Sequence, residues 1–253
     1  MKAIILAAGR GSRLDKYTKD LPKGMLSLFG KTLIERQIGT YRRNGITDIS
    51  IVTGYKSEKI NYEGVKYYHN KEWEDTNMLV SLMCASDEFN DDVIVSYSDI
   101  VFDDKVLQGM MNSNSDYAVG VDKDWRPYWE FRYGTVFFDL EELKINDKNE
   151  ILSLGRETKD PNDCDARYIG ILKFSINGIN NIREILEKVL TEFKDKPWQV
   201  SGKTGRKAYM TDLLQELLDR KCVLSAVIFE RGWYEFDTNE DYEVVLKNIV
   251  SLF

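Results

Sequence analysis

Along the first half of the chain, apolar and polar positions fall into two alternating kinds of block. Residues 2–8 read as a strand: after Lys2 they are apolar on both faces, as a buried parallel strand requires, and too short to span a membrane. Residues 31–44 place Leu33, Ile34, Ile38 and Tyr41 on one helical face and end at Gly45, a helix stop. Further strands are expected over 48–53, 65–68, 92–97 and 117–121. Helices are expected over 78–86, entered through the good capping side chains of Asp75-Thr76-Asn77, and over 106–111. Strand and helix alternating at this spacing predict a mainly parallel sheet with helices on both faces.

After residue 122 the pattern loosens. Trp125, Tyr128, Trp129, Phe131 and Tyr133 crowd one short stretch. Residues 134–139, 151–154 and 166–174 read as antiparallel strands, and 179–193 and 209–219 as helices. Residues 194–207, rich in Lys, Arg and Gly, read as a mobile loop. Strands over 223–229 and 233–237 lead to a closing helix. Thr238 caps that helix, with Asp241 three residues on, a capping-box variant. No linker divides the chain, so 1–253 is expected to be a single α/β domain with an elaborated, partly antiparallel second half.

Composition narrows the classes. A hydrophobic share of 43% is enough for a packed core, and a formal net charge of −7 argues against a nucleic-acid partner. Cys84, Cys164 and Cys222 lie far apart, which suggests reduced thiols rather than a zinc site or disulfides. The single histidine, His69, leaves no room for histidine-rich metal sites or histidine-dependent triads. With no membrane-length run and no export cleavage site, the expected setting is the cytoplasm.

The candidate chemistry sits where the first strand ends. Gly9 and Gly11 let the backbone approach an anion closely, Arg13 offers a planar fork of donors, and Lys23 after Pro22 adds a point charge. Asp99 also follows an apolar strand. Ligands of parallel sheets sit beyond the carboxyl ends of the strands, so these groups should share one rim. A nucleoside triphosphate is the expected ligand. The dinucleotide fingerprint is broken by Leu14, where its third glycine should stand, which disfavours a dehydrogenase.

Leu6-Ala7-Ala8-Gly9-Arg10-Gly11-Ser12-Arg13-Leu14 followed by Pro22-Lys23 resembles the signature of nucleotidyltransferases, which join a nucleoside triphosphate to a phosphorylated acceptor. The resemblance extends through Asp75-Thr76-Asn77, Tyr97-Ser98-Asp99 and Glu235-Phe236-Asp237-Thr238. It implies a Rossmann-like fold with a nucleotide-binding half at 1–122 and an acceptor-binding half at 123–253. It implies that Leu6, Ala7, Ala8, Gly9, Gly11 and Ser12 surround the nucleotide, and that Arg13 and Lys23 hold its phosphates. It also implies that Thr76 and Ser98 meet base and ribose, and that Asp99 and Asp237 hold Mg2+.

Within the family, 97–102, 122–125 and 233–242 look most like cytidylyltransferases of small non-sugar acceptors: phosphocholine, aminoethylphosphonate or phosphoglutamine. CTP and such an acceptor are the implied partners, and surface glycan or lipid decoration the implied setting. The Glu-Lys-Pro tripeptide of many sugar-phosphate enzymes is not intact. Ala166-Arg167-Tyr168-Ile169-Gly170 replaces the Gly-Glu-aromatic that relatives often carry, which leaves the acceptor open. A sugar-1-phosphate nucleotidyltransferase and a non-catalytic nucleotide-binding regulatory subunit stand as alternatives.

For the acceptor half the candidates are Trp125, Trp129, Arg132, Arg167, Tyr168, Tyr209, Asp212 and Glu235. The aromatics either cage a quaternary ammonium or pack as core, or as a contact with a second copy of the chain. Arg132 and Arg167 either grip an acceptor anion or form salt bridges. Tyr209 and Asp212 either reach an acceptor amine or cap a helix. Asp237 either holds metal or serves the helix dipole behind it.

Overall fold

The computed structural model describes residues 1–249. Strand β1 (Lys2–Ala7) leads through the glycine loop into helix α1 (Asp15–Thr18) and a small hairpin, β2 (Ser27–Leu28) with β3 (Lys31–Thr32). Helix α2 (Leu33–Arg43) starts later than expected, because Thr32 is its cap and accepts from Glu35 N at 3.0 Å. Then come β4 (Ile49–Thr53), β5 (Lys66–His69), α3 (Met78–Cys84), β6 (Val93–Tyr97), β7 (Ile100–Phe102), α4 (Asp104–Met111) and β8 (Tyr117–Asp122). The second half holds α5 (Trp125–Tyr133), β9 (Glu141–Ile145), β10 (Ile151–Glu157), β11 (Arg167–Phe174), α6 (Ile176–Glu192), α7 (Met210–Asp219), β12 (Ser225–Phe229), β13 (Trp233–Glu235) and α8 (Asn239–Asn248).

Seven strands form one sheet in the order β12-β8-β11-β6-β1-β4-β5. Its neighbours pair in parallel except around β11, which runs antiparallel to both β6 and β8. One face packs on α3, α6 and α7 through residues such as Leu82, Ile182 and Leu213. The other packs on α2, α4 and α5 through Ile38, Leu107 and Trp129. A smaller apolar cluster, including Leu14, Leu28, Phe236 and Tyr242, ties α8 to the hairpin and the glycine loop. That cluster brings the end of the described chain back to its beginning. Among the described residues, no helix is long and apolar enough to cross a membrane.

Residues 125–133, whose aromatics predict no particular element, are a helix, which Pro127 permits because it falls in the first turn, where no N–H has a helical partner to lose. Two expectations change. Residues 134–139 are not a strand. Gly134 closes α5 in the left-handed region at φ 69° and Asp139 is left-handed at φ 51°, so extended backbone starts only at β9. Residues 194–207 form a loop as expected, but it is anchored. Gly205 N donates to Phe193 O at 2.8 Å, Arg206 O accepts from Asn77 N at 2.9 Å, and Trp198 is buried.

Away from the glycine rim, a buried carboxylate locks the sheet edge. Glu88 accepts from Lys2 Nζ at 2.6 Å, Tyr68 OH at 2.6 Å and Lys66 Nζ at 3.1 Å, joining β1 and β5 to the turn behind α3. Burial pushes the Glu88 carboxyl up, but Lys2, Tyr68 and Lys66 outweigh it and hold the group at about 2, against an ordinary 4.5. A depressed pKa stabilises the fold above the unfolded value, and the contribution fades as pH falls toward the folded one. Glu88→Gln is therefore expected to be less stable than wild type at pH 7. The gap should close between about pH 4.5 and pH 2. Chemical denaturation across that range checks it, and a gap independent of pH would refute it.

Candidate functional site

The glycine loop and Lys23 fit against each other. Gly11 is left-handed at φ 73°, and a Cβ there would stand 2.9 Å from Lys23 Cβ, so a side chain would push the lysine away. Lys23 Nζ donates to Asp99 Oδ2 at 2.6 Å and to Asp237 Oδ1 at 2.7 Å, and Arg13 Nη2 meets Asp237 Oδ2 at 2.5 Å. The two aspartates meet because β7 and β13 pair antiparallel, with Ile100 opposite Glu235. Phe236 N donates to Asp99 O at 3.0 Å. Buried Asp122 accepts from Trp233 Nε1 at 2.7 Å and Arg231 Nη1 at 2.8 Å, which fixes the approach to β13.

The helix-dipole alternative for Asp237 does not describe this geometry. Thr238 Oγ1 and Asp241 cap α8 between them, and the Asp237 carboxylate turns instead to Lys23 and Arg13. Burial works against the Lys23 ammonium, but Asp99 and Asp237 outweigh it and hold its pKa above the ordinary lysine value. Burial also pushes the Asp237 carboxyl up, and Lys23 followed by Arg13 overcomes it and holds the group low. Asp99 Oδ1 is buried with no hydrogen-bond partner.

These four side chains stand where two cavities meet. The smaller, about 430 Å³, is lined by Leu6, Ala8, Gly9, Gly11, Ser12, Trp73, Thr76, Asn77 and Ser98. The larger, about 590 Å³, reaches Trp129, Asp139, Glu141, Glu157, Arg167, Tyr168 and Glu235. Ser12, Arg13, Lys23, Asp99, Tyr209 and Asp237 bound both. Thr76 is fixed by donating to Glu72 O at 2.7 Å and accepting from Asn70 Nδ2 at 2.9 Å. No atom lies within 4 Å of where a Gly9 Cβ would stand, so the loop leaves clear space there. Ala7 lines neither cavity, and its side chain is core. A separate groove of about 490 Å³ between α2 and α4 holds none of these groups.

Of the acceptor candidates, Trp129, Arg167, Tyr168, Tyr209 and Glu235 line the larger cavity. Three others do not. Trp125 is fully buried, with its Nε1 on Cys164 O at 3.3 Å. Arg132 is 3% exposed and forks onto Asp241 at 3.0 and 2.9 Å while reaching Glu235 at 2.6 Å, so its charge is spent inside the protein. Asp212 is fully buried and accepts from Ser201 N, Ser201 Oγ and Tyr209 N at 2.9, 2.7 and 2.8 Å; it caps α7 and anchors the loop. The aromatic cluster is core whose ring faces carry arginines. Arg132 lies 5.0 Å from the centroid of Trp129 and 4.7 Å from that of Tyr133, and Arg126 4.7 Å from that of Trp125. Sequence reasoning missed Asp139, Glu141, Glu157 and Trp73. Nothing in the spacing of the three carboxylates marks them, because the left-handed turn at Asp139 and the pairing of β9 with β10 bring them to the cavity, together with Glu142.

Residues 3–157 match the family described as the MobA-like NTP transferase domain. The chain is 32% identical to the CTP:phosphoglutamine cytidylyltransferase of Campylobacter jejuni, over 98% of this chain and 100% of the relative. It is 27% identical to the choline-phosphate cytidylyltransferase of Streptococcus pneumoniae, over 98% and 99%. Among solved structures, the CTP:phosphocholine cytidylyltransferase of Streptococcus pneumoniae superposes with TM-score 0.72 at 22% identity, covering 97% of each chain. The inositol-1-phosphate CTP transferase of T. maritima superposes with TM-score 0.69 at 20% identity, covering 99% of this chain and 97% of that one. Both likenesses confirm the mixed, mainly parallel α/β architecture.

The internal pairing of Arg132 is directly testable. Arg132→Met leaves Asp241 charged and buried without its fork, which should cost about 3–5 kcal/mol of stability. Urea denaturation measures it. A folded variant of unchanged stability would show that the Arg132–Asp241 pair contributes nothing to the fold.

Proposed function

We propose, for a chain that belongs to the MobA-like NTP transferase family, that it transfers CMP from CTP to a small phosphorylated, non-sugar acceptor and releases pyrophosphate. The observation that carries this reading is the shared wall of Lys23, Arg13, Asp99 and Asp237 between two cavities. CTP occupies the smaller, with its phosphates on the glycine loop, and the acceptor the larger. The acceptor class is that of the phosphoglutamine and choline-phosphate relatives.

An acceptor phosphate oxygen attacks the α-phosphorus, and pyrophosphate leaves in line. That oxygen is already anionic at neutral pH, so no general base is needed. His69, at the end of β5, faces Thr53 rather than the cavities. The protein's task is to align two anions and to neutralise the charge that gathers on the equatorial oxygens. Lys23 and Arg13 supply fixed donors for that charge. Asp99 and Asp237 suit Mg2+, which prefers hard oxygen ligands, and the unpartnered Asp99 Oδ1 is a free ligand atom. When bound, the ion would add a Lewis acid beside the phosphates. A regulatory subunit that only binds nucleotide has no use for this complete set.

Pyrophosphate release measured with the four nucleoside triphosphates and a panel of phosphorylated acceptors tests the reading. CTP with a small non-sugar acceptor should give the highest rate. Lys23→Ala and Asp99→Ala should fold yet lose roughly two to three decades of turnover, the usual loss for one such electrostatic contact. Release only with sugar 1-phosphates, or near-normal turnover in either folded variant, would count against it.

A further inference from the structure

We infer, resting on the function proposed above, that Glu141 and Arg167 together read a zwitterionic head on the acceptor. The ammonium lies on Glu141 and a carboxylate on Arg167, so the acceptor carries an amino-acid-like primary ammonium rather than a quaternary one. Glu141 opens β9 and lines the larger cavity, yet its carboxylate makes no hydrogen bond and no ion pair among the described residues. Arg167 is 8% exposed and lines the same cavity. Its Nη1 and Nη2 donate to backbone, to Glu141 O at 3.1 Å and Asp139 O at 2.8 Å, and its Nε is buried without a partner. Backbone carbonyls therefore fix the guanidinium without neutralising it.

The two opposite charges are neighbours that do not pair with each other. Left this way, they offer one acceptor and one donor side by side to a ligand bearing the complementary pair. Burial pushes the Glu141 carboxyl up even against Arg167, a cost that an arriving ammonium relieves. Asp139 and Glu157 line the same space and add negative charge there.

A quaternary ammonium fits this chamber poorly. It has no N–H to give a carboxylate and relies on open aromatic faces. Of the rings that line this cavity, Trp129 already carries Arg167 at 4.7 Å from its centroid and Arg132 at 5.0 Å, and Tyr97 and Tyr168 meet each other edge to face at 5.9 Å. A primary ammonium brings three donors, which the carboxylates of the chamber can accept.

The test uses the full chain with CTP and pyrophosphate release as readout. Phosphoethanolamine and phosphocholine form a matched pair differing only in N-methylation, and phosphoglutamine adds the carboxylate. Phosphoethanolamine should exceed phosphocholine in kcat/KM by at least roughly tenfold, because a site built for N–H donors rejects an analogue lacking them. Glu141→Gln should raise the KM of phosphoethanolamine and of phosphoglutamine roughly tenfold while the KM for CTP stays put. Arg167→Met should raise the KM of phosphoglutamine more than that of phosphoethanolamine. Phosphocholine turned over as well as phosphoethanolamine overturns this inference and leaves the cytidylyltransferase reading standing. So does an unchanged acceptor KM in Glu141→Gln. No release with any acceptor overturns both.

Discussion

Two carboxylates held within reach of one ammonium set the terms for the rest of the molecule. Asp99 follows β6 of the main sheet and Asp237 follows β13 of the two-stranded ribbon, and their charges would repel at this range without Lys23 and Arg13 between them. The glycine at position 11 exists for the lysine's sake, since a Cβ there would displace its side chain. As a set, two cations and two anions are neutral. A triphosphate at that wall, as proposed above, would add negative charge the four groups do not balance, and a divalent cation bound with it would offset that charge. Metal and nucleotide are coupled in this reading by simple electroneutrality.

A second ion network stands behind the first and reaches the larger cavity through Glu235. Arg132 forks onto Asp241, and Asp241 in turn accepts from Asp237 N and Thr238 N at 3.0 Å each. The same carboxylate thus closes a capping box, neutralises a buried guanidinium and fixes the backbone that aims Asp237. Glu235, gripped by Arg132 from the side, shares the strand end. Burial pushes the Glu235 carboxyl up, against Arg132, and nearby Asp237 and Asp99 push it the same way. The rim is crowded with negative charge that stays in place because arginines from α5 and the glycine loop reach into it.

How much of this was legible depended on whether a role is local or long-range. Strands β1, β4, β6 and β8 announced themselves as runs apolar on both faces, and α8 through Thr238 and Asp241. Lys23, Asp99 and Asp237 were legible because each directly follows a strand or belongs to a resembled signature. Arg132 was not, because its charge is answered by Asp241, on a helix 109 residues further along the chain. Trp125 and Trp129, four apart on α5, look alike in sequence, yet only Trp129 borders the larger cavity. Glu141 gave no signal. A Glu-Glu pair reads as solvated surface until a left-handed residue at 139 and the pairing of β9 with β10 bring it to the wall of the larger cavity.

The pairing of β7 with β13 also dates the site's completion during synthesis. A nascent chain made as far as β12 already contains all seven strands of the main sheet, the glycine loop, Lys23 and Asp99. It lacks β13, Asp237 and the α8 cap, so the shared wall has one carboxylate and no partner for Arg13. Such a chain also leaves buried Asp122 without Trp233, and Arg132 without Asp241. Asp237 therefore joins the wall only through a strand pairing that comes later in the chain than every strand of the main sheet.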